Sequence, residues 1–136
     1  VEGRIGRTLA GVRSTRGVRM GASSHVARFL LSAREFVPDL RFAANVRFDG
    51  AVEAALDDAD LGGPVAEFDR GAEPEDTPGT MDWSAARAFG DADEPPVAVF
   101  DRGDVGKEPM TRVVARDAGS LRDRVLALLD AHESGD

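Results

Sequence analysis

The sequence predicts an α/β layered domain, because short apolar β-type runs alternate with amphipathic helical stretches along its 136 residues. Two further observations support this. Gly-, Pro- and Asp-rich turns punctuate the runs, and the tail carries one clear apolar stripe at helical spacing, Leu121, Val125, Leu128 and Leu129. A chain of this length suits one hydrophobic core rather than two.

Residues 2 to 20 read as core-type β segments, R-I-G-R-T-L, G-V-R-S-T and G-V-R-M, joined by glycine-centred turns. A chain that opens on valine in such a segment is expected to be the end of a longer protein, a domain over residues 1 to 136 truncated at its N-terminus. A helix is predicted from Ser23 or Ser24 as N-cap, with Val26, Phe29, Leu30 and Ala33 on one face and a stop before Pro38. Leu40 to Phe48 alternates like a strand. Ala51 to Leu61 reads as a helix ended by Gly62 and Gly63, and P-V-A-E-F-D as a short strand. Residues 69 to 81 form a loop rich in Gly, Pro and acids, long enough to serve as a lid. A short helix from Asp82, strands at Pro96 to Phe100 and Met110 to Arg116, and a final helix capped by Ser120 complete the series.

Composition narrows the chemistry. There is no cysteine, which excludes disulfides, thiolate metal sites and cysteine nucleophiles, and two histidines do not make a multi-histidine metal centre. No apolar run approaches the ~20 residues of a membrane span, so neither a membrane partner nor a signal peptide is expected, and the localisation implied is cytoplasmic. The net charge of -8, with much Asp and almost no lysine, leans toward a salt-loving source. The charge is uneven: residues 1 to 48 carry nine arginines against three acids, while the remainder holds eight cations against twenty-two. One end of the fold is therefore suited to an anion, and direct nucleic-acid binding by this segment is not expected.

Lys107 is the only lysine among seventeen cations, and it lies in D-R-G-D-V-G-K-E-P-M, Asp101 to Met110. Gly103 and Gly106 would let backbone N–H groups approach a phosphate that the ammonium neutralises; the plain alternative is a surface lysine on a turn. Asp101 and Asp104 flank the turn and suit either a magnesium ion or capping of their own backbone. In G-A-S-S-H-V-A-R, Gly21 to Arg28, the start of a helix places Ser23, Ser24 and His25 for phosphate binding, with His25 as hydrogen-bond donor or proton acceptor. A capping turn with a partly exposed histidine is the rival reading. Asn45 interrupts an apolar strand, as an interior amide or a ligand contact. Trp83 reads first as core, and His132 as a favourable charge near a helix C-terminus.

Five blocks in order, G-A-S-S-H-V-A-R, A-A-N-V-R-F, F-D-R-G-A-E-P, G-T-M-D-W and D-R-G-D-V-G-K-E-P-M, together resemble the archaeal ThiN-type thiamine-phosphate synthase domain. The resemblance implies a three-layer α/β/α fold with a mixed, largely antiparallel sheet, similar to class II aldolases. It implies condensation of hydroxymethylpyrimidine diphosphate with thiazole phosphate, so the expected partners are phosphorylated pyrimidine and thiazole molecules. The family's arginine and histidine fall on Arg4 and His25; Asp69, Arg70 and Glu108 join Ser23, Ser24, Asn45, Asp101, Gly103, Asp104, Gly106 and Lys107 as substrate-binding candidates. Magnesium is the cofactor expectation, and no residue is assigned as a metal ligand. Ala44 stands where the family block commonly has methionine. Such domains also follow a helix-turn-helix in repressors, which makes a non-catalytic thiamine-phosphate sensor the alternative. An open sheet edge further suggests a homodimer.

Overall fold

The computed structural model describes residues 5–14, 16–72, 80–90 and 92–135, with the side chains of 80–82 left aside. The elements are β1 (Ile5–Thr8), β2 (Gly11–Ser14), α1 (Ser24–Phe36), β3 (Phe42–Arg47), α2 (Gly50–Asp58), β4 (Val65–Glu67), a 3-10 turn (Arg70–Ala72), α3 (Thr80–Phe89), β5 (Ala98–Asp101), β6 (Met110–Ala115) and α4 (Ala118–Ser134). The fold is α/β. Its main sheet has the order β3-β6-β5-β4. β6 runs antiparallel to both neighbours and β4 pairs parallel with β5, so β3, β4 and β5 all point the same way. Their carboxyl ends therefore share one edge of the sheet, the place where open α/β sheets bind ligands.

Helices cover both faces. On one face Phe29 and Ala33 of α1 and Ala85, Ala88 and Phe89 of α3 pack over Val99 and Val114. On the other, Val52, Ala55 and Leu56 of α2 and Leu128 of α4 pack over Ala98 and Val113. The central strands β5 and β6 are buried on both sides, which explains the continuous apolar run P-V-A-V-F in place of alternation. An edge-to-face contact between Phe68 and Trp83, ring centroids 5.9 Å apart, ties the start of α3 to the segment after β4, so Trp83 is packing as the sequence suggested. No helix among the described residues is long and apolar enough to cross a membrane.

Several expectations are corrected. The opening segments are not core strands: β1 and β2 form a separate two-stranded hairpin whose described side chains are almost all exposed, and G-V-R-M is not a strand. Their alternating Arg and apolar residues suit a half-buried strand, yet Ile5 and Val12 remain 63% and 71% exposed. α4 begins two residues before Ser120. Asp117 is its N-cap, and Ser120 is instead the donor to it, through N–H at 2.8 Å and Oγ at 2.7 Å. α2 ends at Asp58, because Ala59 turns to extended backbone before Gly62 is reached. α3 begins at Thr80 rather than Asp82. Of the predicted stripe on α4, Leu128 is buried and Leu121 and Val125 pack against the same core, while Leu129 is 47% exposed.

Candidate active site

A cleft of about 560 Å³ opens beside β3, the edge strand, at the shared carboxyl end of the sheet. Ser23 and Val26 at the start of α1, Asn45 and Arg47 on β3, and Glu108 and Met110 at the start of β6 line it. The connectivity explains the convergence. α1 runs into β3 through a turn at residues 37–41, which returns its first residues to the carboxyl end of β3. Asn45 is exposed toward this cleft, so it is not an interior amide. Ser23 holds the N-cap position with extended backbone, but its side chain makes no capping hydrogen bond. Ser24 and His25 follow as exposed first residues of α1, and His25 is not among the residues lining the cleft.

The Lys107 loop leaves the sheet at the same end, since Asp101 pairs with Met110 and Met110 with Arg47. It is a tight hairpin. The Asp104 N–H donates to the Lys107 carbonyl at 3.1 Å and the Lys107 N–H to the Asp104 carbonyl at 2.8 Å. Gly103 is required there: its φ is +74°, and a Cβ would stand 2.5 Å from the Lys107 carbonyl oxygen. Lys107 and Glu108 are both exposed, and Glu108 carries the loop to the cleft.

Beneath the loop lies a buried ionic cluster. Asp101 is 0% exposed, and its Oδ2 accepts from Arg70 at 2.9 Å and from Arg112 at 3.1 Å. Its Oδ1 accepts from the Gly103 N–H at 2.9 Å, while Arg70 Nη1 donates to the Glu108 carbonyl at 3.4 Å. Both ends of the loop are thereby fastened. Arg112 also lies over the Phe29 and Phe68 rings, at 5.3 and 5.8 Å from their centroids. Burial lowers the pKa of its guanidinium from the ordinary value, and Asp101 opposes that shift.

The structure brings Ser23, Asn45 and Glu108 into one cleft, with Ser24, His25 and the Gly103–Gly106–Lys107 turn at the same end. Asp101 and Arg70 lie inside the fold, not facing the cleft. Asp101 is not placed to hold a magnesium ion, since it is buried and its Oδ2 already serves two guanidinium groups, while Asp104 accepts from the Val105 N–H at 2.7 Å, the backbone-capping alternative. Among the described residues no three His, Asp or Glu side chains converge as a metal cage. Asp69 is exposed and its Oδ1 accepts from the Gly71 N–H at 2.9 Å, which shapes the 3-10 turn. Arg4 and residues 73–79 of the proposed lid lie outside the described residues; Ile5, next to Arg4 in sequence, lines the cleft. Sequence reasoning missed Arg112 and Arg47. An arginine inside the otherwise small and apolar run T-R-V-V-A was the available signal for the first.

The sequence profile of the family described as thiamine-phosphate synthase ThiN matches residues 1–127. The thiamine-phosphate synthase ThiN of Methanothermobacter thermautotrophicus is 33% identical over 138 aligned positions, spanning 98% of this chain and 72% of the relative. The bifunctional thiamine biosynthesis protein ThiDN of Methanocaldococcus jannaschii is 38% identical over 84% of this chain, which covers 26% of that protein. Among solved structures, the C-terminal domain of a phosphomethylpyrimidine kinase superposes with a TM-score of 0.84 at 34% identity, covering 94% of this chain and 73% of the other.

Proposed function

The chain belongs to the ThiN family of thiamine-phosphate synthases, and we propose that its carboxyl-end cleft joins hydroxymethylpyrimidine diphosphate to thiazole phosphate. The thiazole nitrogen forms a bond to the pyrimidine methylene carbon, the bond from that carbon to diphosphate oxygen breaks, and diphosphate leaves with the electron pair. The reaction therefore needs cations and N–H donors on the leaving group, and a site that holds both rings in line. A cleft of about 560 Å³ lies within the range of small-molecule sites, about 300 to 1,000 Å³. That Ser23, Asn45 and Glu108, from three separate elements, line this one cleft is the observation that carries the reading.

In this reading Arg4 and Lys107 neutralise diphosphate, and His25 with the N–H groups around Ser23 and Ser24 binds or protonates phosphate oxygens. Gly103 and Gly106 shape the turn that presents Lys107. Asp101 and Arg70 act as positioning residues, since their buried contacts fasten the loop from Gly103 to Glu108. Ala44 also lines the cleft and leaves room there. In fold terms we read the molecule as three-layer α/β/α and class II aldolase-like; α1 with α3 on one face, and α2 with α4 on the other, support this.

A repressor's sensing domain would bind thiamine phosphate without turnover, but both curated relatives carry biosynthetic names and no observation favours the sensor. The test is a high-salt assay of the purified chain with both precursors and magnesium, following thiamine phosphate and diphosphate together. Equimolar appearance of the two is expected. Thermal stabilisation by thiamine phosphate with no diphosphate released would replace the synthase reading by the sensor.

A further inference from the structure

Building on the synthase reading of the cleft, we propose that Arg47 is a substrate-binding residue of this site and takes a phosphate group of one of the two substrates. Arg47 is the last residue of β3 and lines the cleft with Asn45, two residues earlier on the same side of the strand. Its register partner is Met110, so it stands where the Lys107 loop leaves the sheet. The guanidinium has two contacts. Its Nε pairs with Asp49 Oδ2 at 3.1 Å, and Nη2 lies 3.5 Å from His132 Nε2 in the last turn of α4.

A guanidinium carries only donors, so the imidazole nitrogen accepts, and Nε and Nη2 are both engaged. Among the described contacts none engages Nη1, and the side chain is 69% exposed. An arginine fixed on one side and open on the other is suited to a phosphate oxygen, which it binds with charge-assisted hydrogen bonds. The same sheet end also presents Lys107 and the start of α1, so two phosphate groups have separate places to settle.

KM and kcat for each precursor, measured in the wild type, Arg47→Ala, Arg47→Lys and Arg41→Ala, test this beside calorimetric titration with inorganic diphosphate and inorganic phosphate. Arg41 precedes the same strand at its other end, where its Nη1 donates to the Pro38 carbonyl, and so controls for lost charge. Arg47→Ala is expected to raise KM about tenfold or more for one precursor, with a smaller change in kcat. The precursor affected identifies which phosphate Arg47 holds. Arg47→Lys should recover part of the loss, and Arg41→Ala should match the wild type. The proposal is overturned if Arg47→Ala leaves both KM values and anion affinity within about twofold, or if Arg41→Ala reproduces its effect. Anion binding that depends on Arg47 in a chain without turnover would retain the site and reject the synthase; neither binding nor turnover in the wild type would reject both.

Discussion

At the opposite end of the sheet, where β5 begins and β6 ends, a second cleft of about 480 Å³ also combines arginines with the start of a long helix. Its parts are spent on the protein itself. Asp117 caps α4 through Ser120, Arg124 donates to the carbonyls of Leu61, at 3.0 Å, and of Val114, and Arg116 pairs with Asp39 at 2.5 Å. At the carboxyl end, Ser23 forms no capping bond, Asn45 is exposed, and the Lys107 turn is fastened from beneath by Asp101 and Arg70. A helix start with nearby arginines therefore does not define an anion site. The difference lies in which donors remain available after the fold has satisfied its own acceptors.

The largest contrast should come from catalysis. Arg4→Ala or His25→Ala is expected to reduce turnover by about 100-fold or more while the melting temperature holds, as removal of a transition-state donor does. Steady-state product formation beside a thermal melt checks this, and unchanged turnover would remove both residues from the reaction. Asp101→Ala should instead break the carboxyl end from below. Two buried guanidinium groups would lose their partner, at a cost of about 3–5 kcal/mol in urea unfolding, and the loop they hold would loosen.

At the opposite end Arg124→Met should cost stability, about 1–2 kcal/mol from carbonyls left without their donor, with KM for both precursors unchanged. A rise in KM there would erase the distinction between the two ends. The smallest effect concerns Asp117, whose pKa lies below its ordinary 3.8, chiefly through the hydrogen bond from the Ser120 side chain. Its folded value is depressed, so its contribution is complete above the ordinary value and disappears as pH falls through the folded one. Asp117→Asn should be less stable than the wild type at neutral pH, and the gap should close below about pH 4 in acid unfolding curves.

Local pattern made much of the fold legible. The helix from Ser24 ends at Phe36, before Pro38, the strands at Phe42–Arg47 and Met110–Ala115 fall where alternation and apolar runs place them, and Ser23, Asn45 and Glu108 line one cleft. What escaped depends on partners distant in sequence. No local partner marks Arg112 as interior, yet it is 4% exposed because Asp101, eleven residues away, and two phenylalanine rings receive it. Arg47 gains its orientation from His132, 85 positions later. The sequence points to Ser120 where the cap is Asp117, because both residue types cap helices and only backbone geometry separates them.

Location of bound ligand is the most direct test that the carboxyl end is the synthase site. A crystal structure of the chain grown with thiamine phosphate and diphosphate should show both between the start of α1, the end of β3 and the Lys107 turn, within hydrogen-bond reach of His25 and Arg47. Ordered ligand in the cleft beside Arg116 and Arg124, with the carboxyl end empty, would contradict the account.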